Sequence, residues 1–357
     1  MGFGAARRSL LLFFMALCMG ALVAWRVARP WGAKRSQTPP LDTPKSSSRT
    51  SPPAPLIEAP IKRVRGGMDV TFYVASDTHL GLKTPMPVNR DPVEEPVWIE
   101  RLNLAMIEQM NQMQGQAFPA ELGGKVGRPW GVLISGDLTE KGGRTQWQIF
   151  ERFYGSRGTE GVLEIPVFEG AGNHDRTRNW YVREQVARRH GGRFYSFDFH
   201  DLHLICLGEG PDEKGLQFLE QDLARVDEEV PIVVYLHYPL RGAFAEDNWF
   251  GRGPYRQELR EKLSGHRVVG IFHGHYHASG AYRWFDLDVY NVGSVKHDWR
   301  SYSVVHVTDS EMVVASWNVE ARAFWWWHRK PLRRGGPKEQ VRVLKLPAVR
   351  VKPQVNL

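Results

Sequence analysis

Between residues 70 and 275 this chain repeats one local pattern five times: a run of four to six apolar residues that gives way, within five positions, to Asp, Asn or His. The runs cover residues 70–75, 131–134, 165–168, 231–236 and 268–272. They lead into Ser76-Asp77-Thr78-His79, Gly136-Asp137, Gly172-Asn173-His174-Asp175, His237 and Gly274-His275-Tyr276-His277. Short apolar runs bounded by polar, Gly-containing segments read as buried strands. Helix-like stretches at 98–114, 144–154 and 216–229 separate them, so β and α units alternate. In open α/β sheets, sites form in the crevice at the carboxyl ends of the strands, and the five polar tips are therefore expected to meet. Segments 193–207, 286–292, 303–307 and 312–317 contain little helix and read as further strands of a second sheet.

The residue types at the tips select a chemistry. Borderline metals such as Mn, Fe or Zn accept imidazole nitrogen and carboxylate oxygen together, whereas Mg or Ca prefers oxygen throughout. Asp77 and His79, and again His275 and His277, are spaced i, i+2. On an extended segment that spacing puts both side chains on one side, so each pair is expected to grip one centre. A carboxylate can serve two metals through its two oxygens, and Asp137, behind a glycine that permits close approach, is the candidate bridge. Taken singly, Asp-x-His seldom binds metal, Gly-Asp is usually a turn, Gly-Asn-His-Asp suits a tight left-handed turn, and His237 suits a satisfied strand end. Their conjunction at five strand ends selects the metal reading.

The ordered set D-x-H, G-D, G-N-H-D, H and G-H-x-H, from Asp77 to His277, resembles the calcineurin-like metallophosphoesterase superfamily. The resemblance implies an α/β fold, a four-layer αββα sandwich of two mixed β-sheets flanked by helices. It also implies two metal ions, one held by Asp77, His79, Asp137 and His277, the other by Asp137, Asn173, His237 and His275. No ligand position departs from the pattern. The implied substrate is a phosphoester, small or lipid-linked, and the segments between the motifs match no particular subfamily. Two metals roughly 3.5–4 Å apart would turn a bridging water into hydroxide near neutral pH, for in-line attack on phosphorus. His174 would protonate the leaving oxygen or stabilise the transition state, with Asp175 orienting its ring and raising its pKa.

The net charge of +8 would suit a nucleic-acid binder if it lay on the catalytic body. It lies at the ends instead: residues 1–65 carry +9 and residues 329–357 carry +8, which leaves −9 for residues 66–328. That balance argues against a basic groove, and so against the rival reading of a nuclease. Arg7 and Arg8 precede an uncharged apolar stretch over residues 9–25, in the order of a signal anchor. The expected organisation is thus an anchor or transmembrane segment (1–29), a flexible Pro/Ser-rich linker (30–65), the phosphoesterase domain (66–328) and a solvated basic tail (329–357). It implies a membrane-anchored protein with an extracytoplasmic domain and no predicted protein partner. Cys18 and Cys206, the two cysteines, both lie in apolar runs and predict no disulfide.

Remaining residues take plainer readings. His190, His200, His203, His266, His306 and His328 have no second ligand at useful spacing, and His273 should point away from the ligands. His297, with Lys296 and Trp299, stands open between the site mouth and the surface. Arg241, Trp249, Phe250, Arg252 and Arg256, like Arg90 and Trp98, could touch substrate but are first read as ordinary loop residues. Trp325-Trp326-Trp327 fits an interfacial anchor or a final strand equally well. A non-catalytic metal-stabilised module is the remaining rival, against which His174 and Asp175 speak, since no structural site requires them.

Overall fold

The computed structural model describes residues 67–81, 95–176, 180–241, 253–297, 300–333 and 335–344. In chain order the first half contains β1 (Asp69–Ala75), α1 (Glu95–Gln112), β2 (Pro129–Ile134), α2 (Arg144–Tyr154), β3 (Val167–Glu169), a 3-10 turn (His174–Arg176), α3 (Tyr181–His190), β4 (Tyr195–Phe199), β5 (Leu202–Cys206) and α4 (Glu213–Leu223). The second half contains β6 (Ile232–Tyr235), α5 (Gly253–Leu263), β7 (Val268–His273), β8 (Ser279–Trp284), β9 (Leu287–Val292), β10 (Ser301–Thr308), β11 (Glu311–Asn318), β12 (Ala323–Pro331) and β13 (Gln340–Val343).

Two mixed sheets result, one in the order β13-β12-β11-β10-β1-β2-β3 and the other β4-β5-β6-β7-β9-β8. Strands β1, β2 and β3 run parallel in the first, as do β5, β6, β7 and β9 in the second. Alternation along β1 explains the layering, because successive side chains point to opposite faces. Val70, Phe72 and Val74 pack between the sheets with Leu204, Val233, Tyr235, Phe272 and Tyr290. Tyr73 and Ala75 face the other way, onto Ile99 and Met106 of α1 and Trp147 and Phe150 of α2. The outer face of the second sheet, including Ile205, Val234 and Ile271, is covered by Leu216 and Leu219 of α4 and Leu259 and Leu263 of α5. The chain is therefore the four-layer αββα sandwich expected.

Two expectations change and one open alternative is resolved. The late strands do not form a sheet of their own: β10 and β11 join β1 in the first sheet, while β4, β5 and β9 join β6 and β7 in the second. Apolar alternation marks a strand but not its partner, and β10 pairs with β1 from over two hundred residues away. The Trp325-Trp326-Trp327 triplet is strand, not an interfacial anchor, with all three rings buried in β12. Strand pairing also continues past residue 328, where the sequence reading began a solvated tail, since β13 pairs with β12.

The membrane-anchored location is corrected. The expected anchor and linker lie outside the described residues, and among those described no helix is long and apolar enough to cross a membrane. The longest helix, α1, has 18 residues and carries Glu100, Arg101 and Glu108 along its length, charges that hydrocarbon would not accommodate.

Candidate metal centre

The polar tips of β1, β2, β3, β6 and β7 converge at one end of the two sheets. Backbone hydrogen bonds stitch the loops together: Asp77 N donates to Gly136 O at 2.9 Å, His79 N to Asp137 O at 3.0 Å, and Gly274 N to His237 O at 3.2 Å. Gly136 has φ +119, and a Cβ there would lie 2.8 Å from His237 Nδ1 and 2.9 Å from Gly172 Cα, so the approach behind Asp137 requires glycine. Asp77, His79, Asp137, His275 and His277 all have left-handed backbone, with φ between 45 and 71. Non-glycine residues take that conformation rarely, and such strain concentrates at functional sites.

The donors form two groups that share Asp137. Asp77, His79, Asp137 and His277 offer ligand atoms all within 4.8 Å of one another, as do Asp137, His237 and His275. In the first group His277 Nε2 lies 3.0 Å from Asp77 Oδ1 and 3.2 Å from His79 Nε2. In the second His237 Nε2 lies 3.2 Å from Asp137 Oδ2, 3.1 Å from Asn173 Oδ1 and 3.3 Å from His275 Nδ1. The i, i+2 argument is corrected in one respect. Asp77 and His79 do share a group, but His275 and His277 divide between the two, because left-handed turns replace the extended backbone that argument assumed.

This donor set fits a metal. Imidazole nitrogens that face one another at 3.2 and 3.3 Å are unfavourable unless a proton or cation lies among them. Asp77 Oδ1 is buried and accepts no well-formed hydrogen bond, despite the nearby His277. The distal nitrogens are held: His79 Nδ1 donates to Glu140 Oε2 at 2.8 Å, and His237 Nδ1 to Ser135 O at 3.2 Å, which turns both Nε2 lone pairs inward. Asp77 Oδ2 accepts from His275 N at 2.9 Å and Asp137 Oδ1 from His174 N at 2.8 Å, leaving each carboxylate one oxygen for its group.

The charges interlock. Burial works to raise the Asp77 carboxyl, yet His277, His79 and His237 hold it well below the usual range, and His237 and His79 do the same for Asp137. Burial lowers His237, but Asp137 overcomes it and raises the ring to about 9. Burial and then the His237 charge lower His275 to about 4. Glu140, opposed by burial but drawn down by His79 and Lys296, lies at about 2.

The expected role of Asp175 is corrected. Its oxygens accept hydrogen bonds from Leu138 N, Thr139 N, Thr139 Oγ1 and Gly172 N at 2.8 to 3.0 Å, so it ties the β2 and β3 loops together. Burial and the Asp137 charge raise it to about 7 against the pull of those donors. The His174 ring instead donates through Nδ1 to Glu140 O at 2.8 Å, with the Glu140 carboxylate 3.9 Å away. Glu140 thus serves both histidines, and Lys296 Nζ lies 3.3 Å from the same carboxylate oxygen. Sequence reasoning passed over Glu140, although its position three residues after Asp137 in the same strand-end loop was a usable signal.

Other candidates are placed apart from the cluster or beside it. His273 points away, with Nε2 2.9 Å from the Tyr282 hydroxyl. His297 lies beside the cluster, its ring centroid 4.6 Å from that of His277. Arg256 sits on α5 and donates to Leu240 O, Arg241 donates to Arg283 O, and Trp98 packs against the helix-side core. Arg90, Trp249, Phe250, Arg252 and Trp299 lie outside the described residues.

The model of the calcineurin-like phosphoesterase family matches residues 70–279, more than half of the chain. The chain belongs to this family. Among curated proteins, purple acid phosphatase 22 of Arabidopsis thaliana is 30% identical over 129 residues, covering 34% of this chain and 30% of that protein. Purple acid phosphatase 23 of the same plant is 35% identical over 126 residues, covering 33% and 27%. The chain thus matches these phosphatases over less than a third of their length. Among solved structures, GAP50, described as the anchor in the inner membrane complex of Plasmodium, is similar with a TM-score of 0.47 at 13% identity, over 79% of this chain and 90% of that one. Vps29 of Chaetomium thermophilum is similar with a TM-score of 0.31 at 11% identity, over 80% and 100%.

Proposed function

We propose that this phosphoesterase-family chain hydrolyses a phosphoester with two transition-metal ions, Mn, Fe or Zn. Asp77, His79, Asp137 and His277 would hold one, and Asp137, Asn173, His237 and His275 the other. The observation that carries this reading is the pair of donor groups meeting at a shared Asp137. When bound, such ions supply a hydroxide from water near neutral pH and offset phosphoryl charge. The chain's own residues do the rest. Glu140 and Ser135 O fix the tautomers of His79 and His237. His174, with its side chain 33% exposed beside the cluster, is the proton donor to the leaving oxygen, steadied by Glu140. Asp175 is a strut between loops rather than a catalytic residue.

The test is a generic aryl phosphate assay with elemental analysis of the same samples. Asp137→Asn is expected to cut turnover by several orders of magnitude, and wild-type activity in a fully loaded variant would sink the reading. His174→Ala is expected to lower kcat by about 10²–10⁴ while metal content stays at the wild-type level.

A further inference from the structure

A cavity of about 770 Å³ opens beside the metal cluster, between α3, the loop after β5 and the start of α5. Tyr238 lines the cavity and abuts the cluster. It directly follows His237, is 5% exposed, and its ring centroid lies 5.5 Å from that of His237 and 5.2 Å from that of His275. The volume suits a medium-sized organic group.

The walls define what kind of group. Trp180, Phe194 and Tyr238 present aromatic rings, and Arg183 lies over the Trp180 ring at 4.7 Å. Trp180 is 49% exposed and held at φ 60, an uncommon conformation for a bulky residue and one that sets its indole at the cavity rim. The cations here already have partners. Arg176 and Arg183 lie 3.3 and 3.5 Å from Glu209 oxygens, and Arg193 bonds Asp212 at 2.7 Å. With its positive charge matched, the cavity offers nothing to hold a second phosphate.

Resting on the hydrolase reading for the phosphate end, we infer that this cavity receives the alcohol half of the substrate. That half carries a neutral planar aromatic ring. The ring stacks against Trp180 and Phe194, and the ester oxygen is left at the Tyr238 end of the cavity, beside His237 and His275.

Binding measures this without requiring turnover. Three non-hydrolysable phosphonates, ethylphosphonate, 2-phenylethylphosphonate and 9-(2-phosphonoethyl)adenine, are titrated calorimetrically into the full chain loaded with manganese or zinc. At least one ring-bearing compound is expected to bind about tenfold or more tightly than ethylphosphonate, the size of effect base stacking gives. A gain with both compounds identifies a simple aryl group as sufficient. A gain with the adenine compound alone identifies a nucleoside. Trp180→Ala, at an exposed position where folding is not at risk, is expected to erase most of the gain. Equal affinities, no measurable binding of any of the three, or a gain that survives Trp180→Ala would each overturn the inference. Absence of aryl phosphate turnover with the ring preference intact overturns the hydrolase reading alone.

Discussion

Glu140 shows how much a single side chain outside the proposed ligand set can govern. Its carboxylate accepts from His79 Nδ1 and also meets Lys296, so the His79 ring is held with Nε2 toward Asp77 and Asp137. Glu140→Ala is expected to weaken metal affinity by about 10- to 100-fold, read by competition with a chelating dye; unchanged affinity would remove Glu140 from this role. A second histidine works for stability alone. His203 is 1% exposed, with Asp198 Oδ1 at 2.6 Å and Asp222 Oδ2 at 2.8 Å on its two nitrogens. Burial lowers its pKa, but the two carboxylates overcome this and raise it to about 9, above the ordinary 6.5. The folded chain therefore holds this proton more tightly than the unfolded one. The stabilisation, at most about 3 kcal/mol, is complete below about pH 6.5 and is lost as pH rises through about 9. Melting curves from pH 6 to 10 should show a steeper loss of Tm for wild type than for His203→Gln, and parallel losses would contradict this account.

Among the elements, β12 carries the clearest tertiary signature. Its register against β11 shifts between Ser316 and Trp317, and Trp325 is the residue left over between Phe324 and Trp326. That irregularity lets Trp325 and Trp326 both join the layer between the sheets, while Trp327 enters the helix-side core. Indole nitrogens of the first two are satisfied by Ser316 Oγ and Ser279 Oγ, each at 2.9 Å. Trp327→Ala is expected to lower stability by about 3–5 kcal/mol in denaturant unfolding, a loss no interfacial anchor would produce. Strands β1, β6 and β7 were legible because they are buried on both faces, which writes a nearly continuous apolar run into the sequence. Helices α3 and α5 were not among the helices read there. The buried side of α3 is only Val182 and Val186, and that of α5 is Leu259 and Leu263, too narrow a stripe to stand out among charged neighbours.

At the scale of the molecule, the cluster joins the two sheets. Asp77, Asp137 and Asn173 follow strands of the first sheet, whereas His237, His275 and His277 follow strands of the second. A cation bound by both sets binds the folded chain and not the unfolded one, so it should stabilise the whole sandwich. At a free metal concentration 100 times Kd the gain is about 2.7 kcal/mol. Chelation should lower Tm and readdition should restore it, as seen by calorimetry. A Tm indifferent to both would show that the cluster does not close the two sheets through a metal.

The clustered Asp, Asn and His side chains and their order along the chain were readable from sequence, because such residues stand out at a strand tip after an apolar run. Alternating β and α units were likewise readable, and the αββα layering was what the family resemblance implied. Tertiary structure, and not the i, i+2 spacing, accounts for the division of donors that the family resemblance implied. His275 and His277 part company through left-handed backbone that no spacing rule foretells, and Asp175 turns from His174 to the β2 loop because three hydrogen-bond donors await it there, with Gly172 N as a fourth from its own loop. Sheet membership of β10 and β11 was likewise undetermined locally. Periodicity records which face of a segment is buried, whereas the partner it is buried against depends on contacts between residues far apart in the chain.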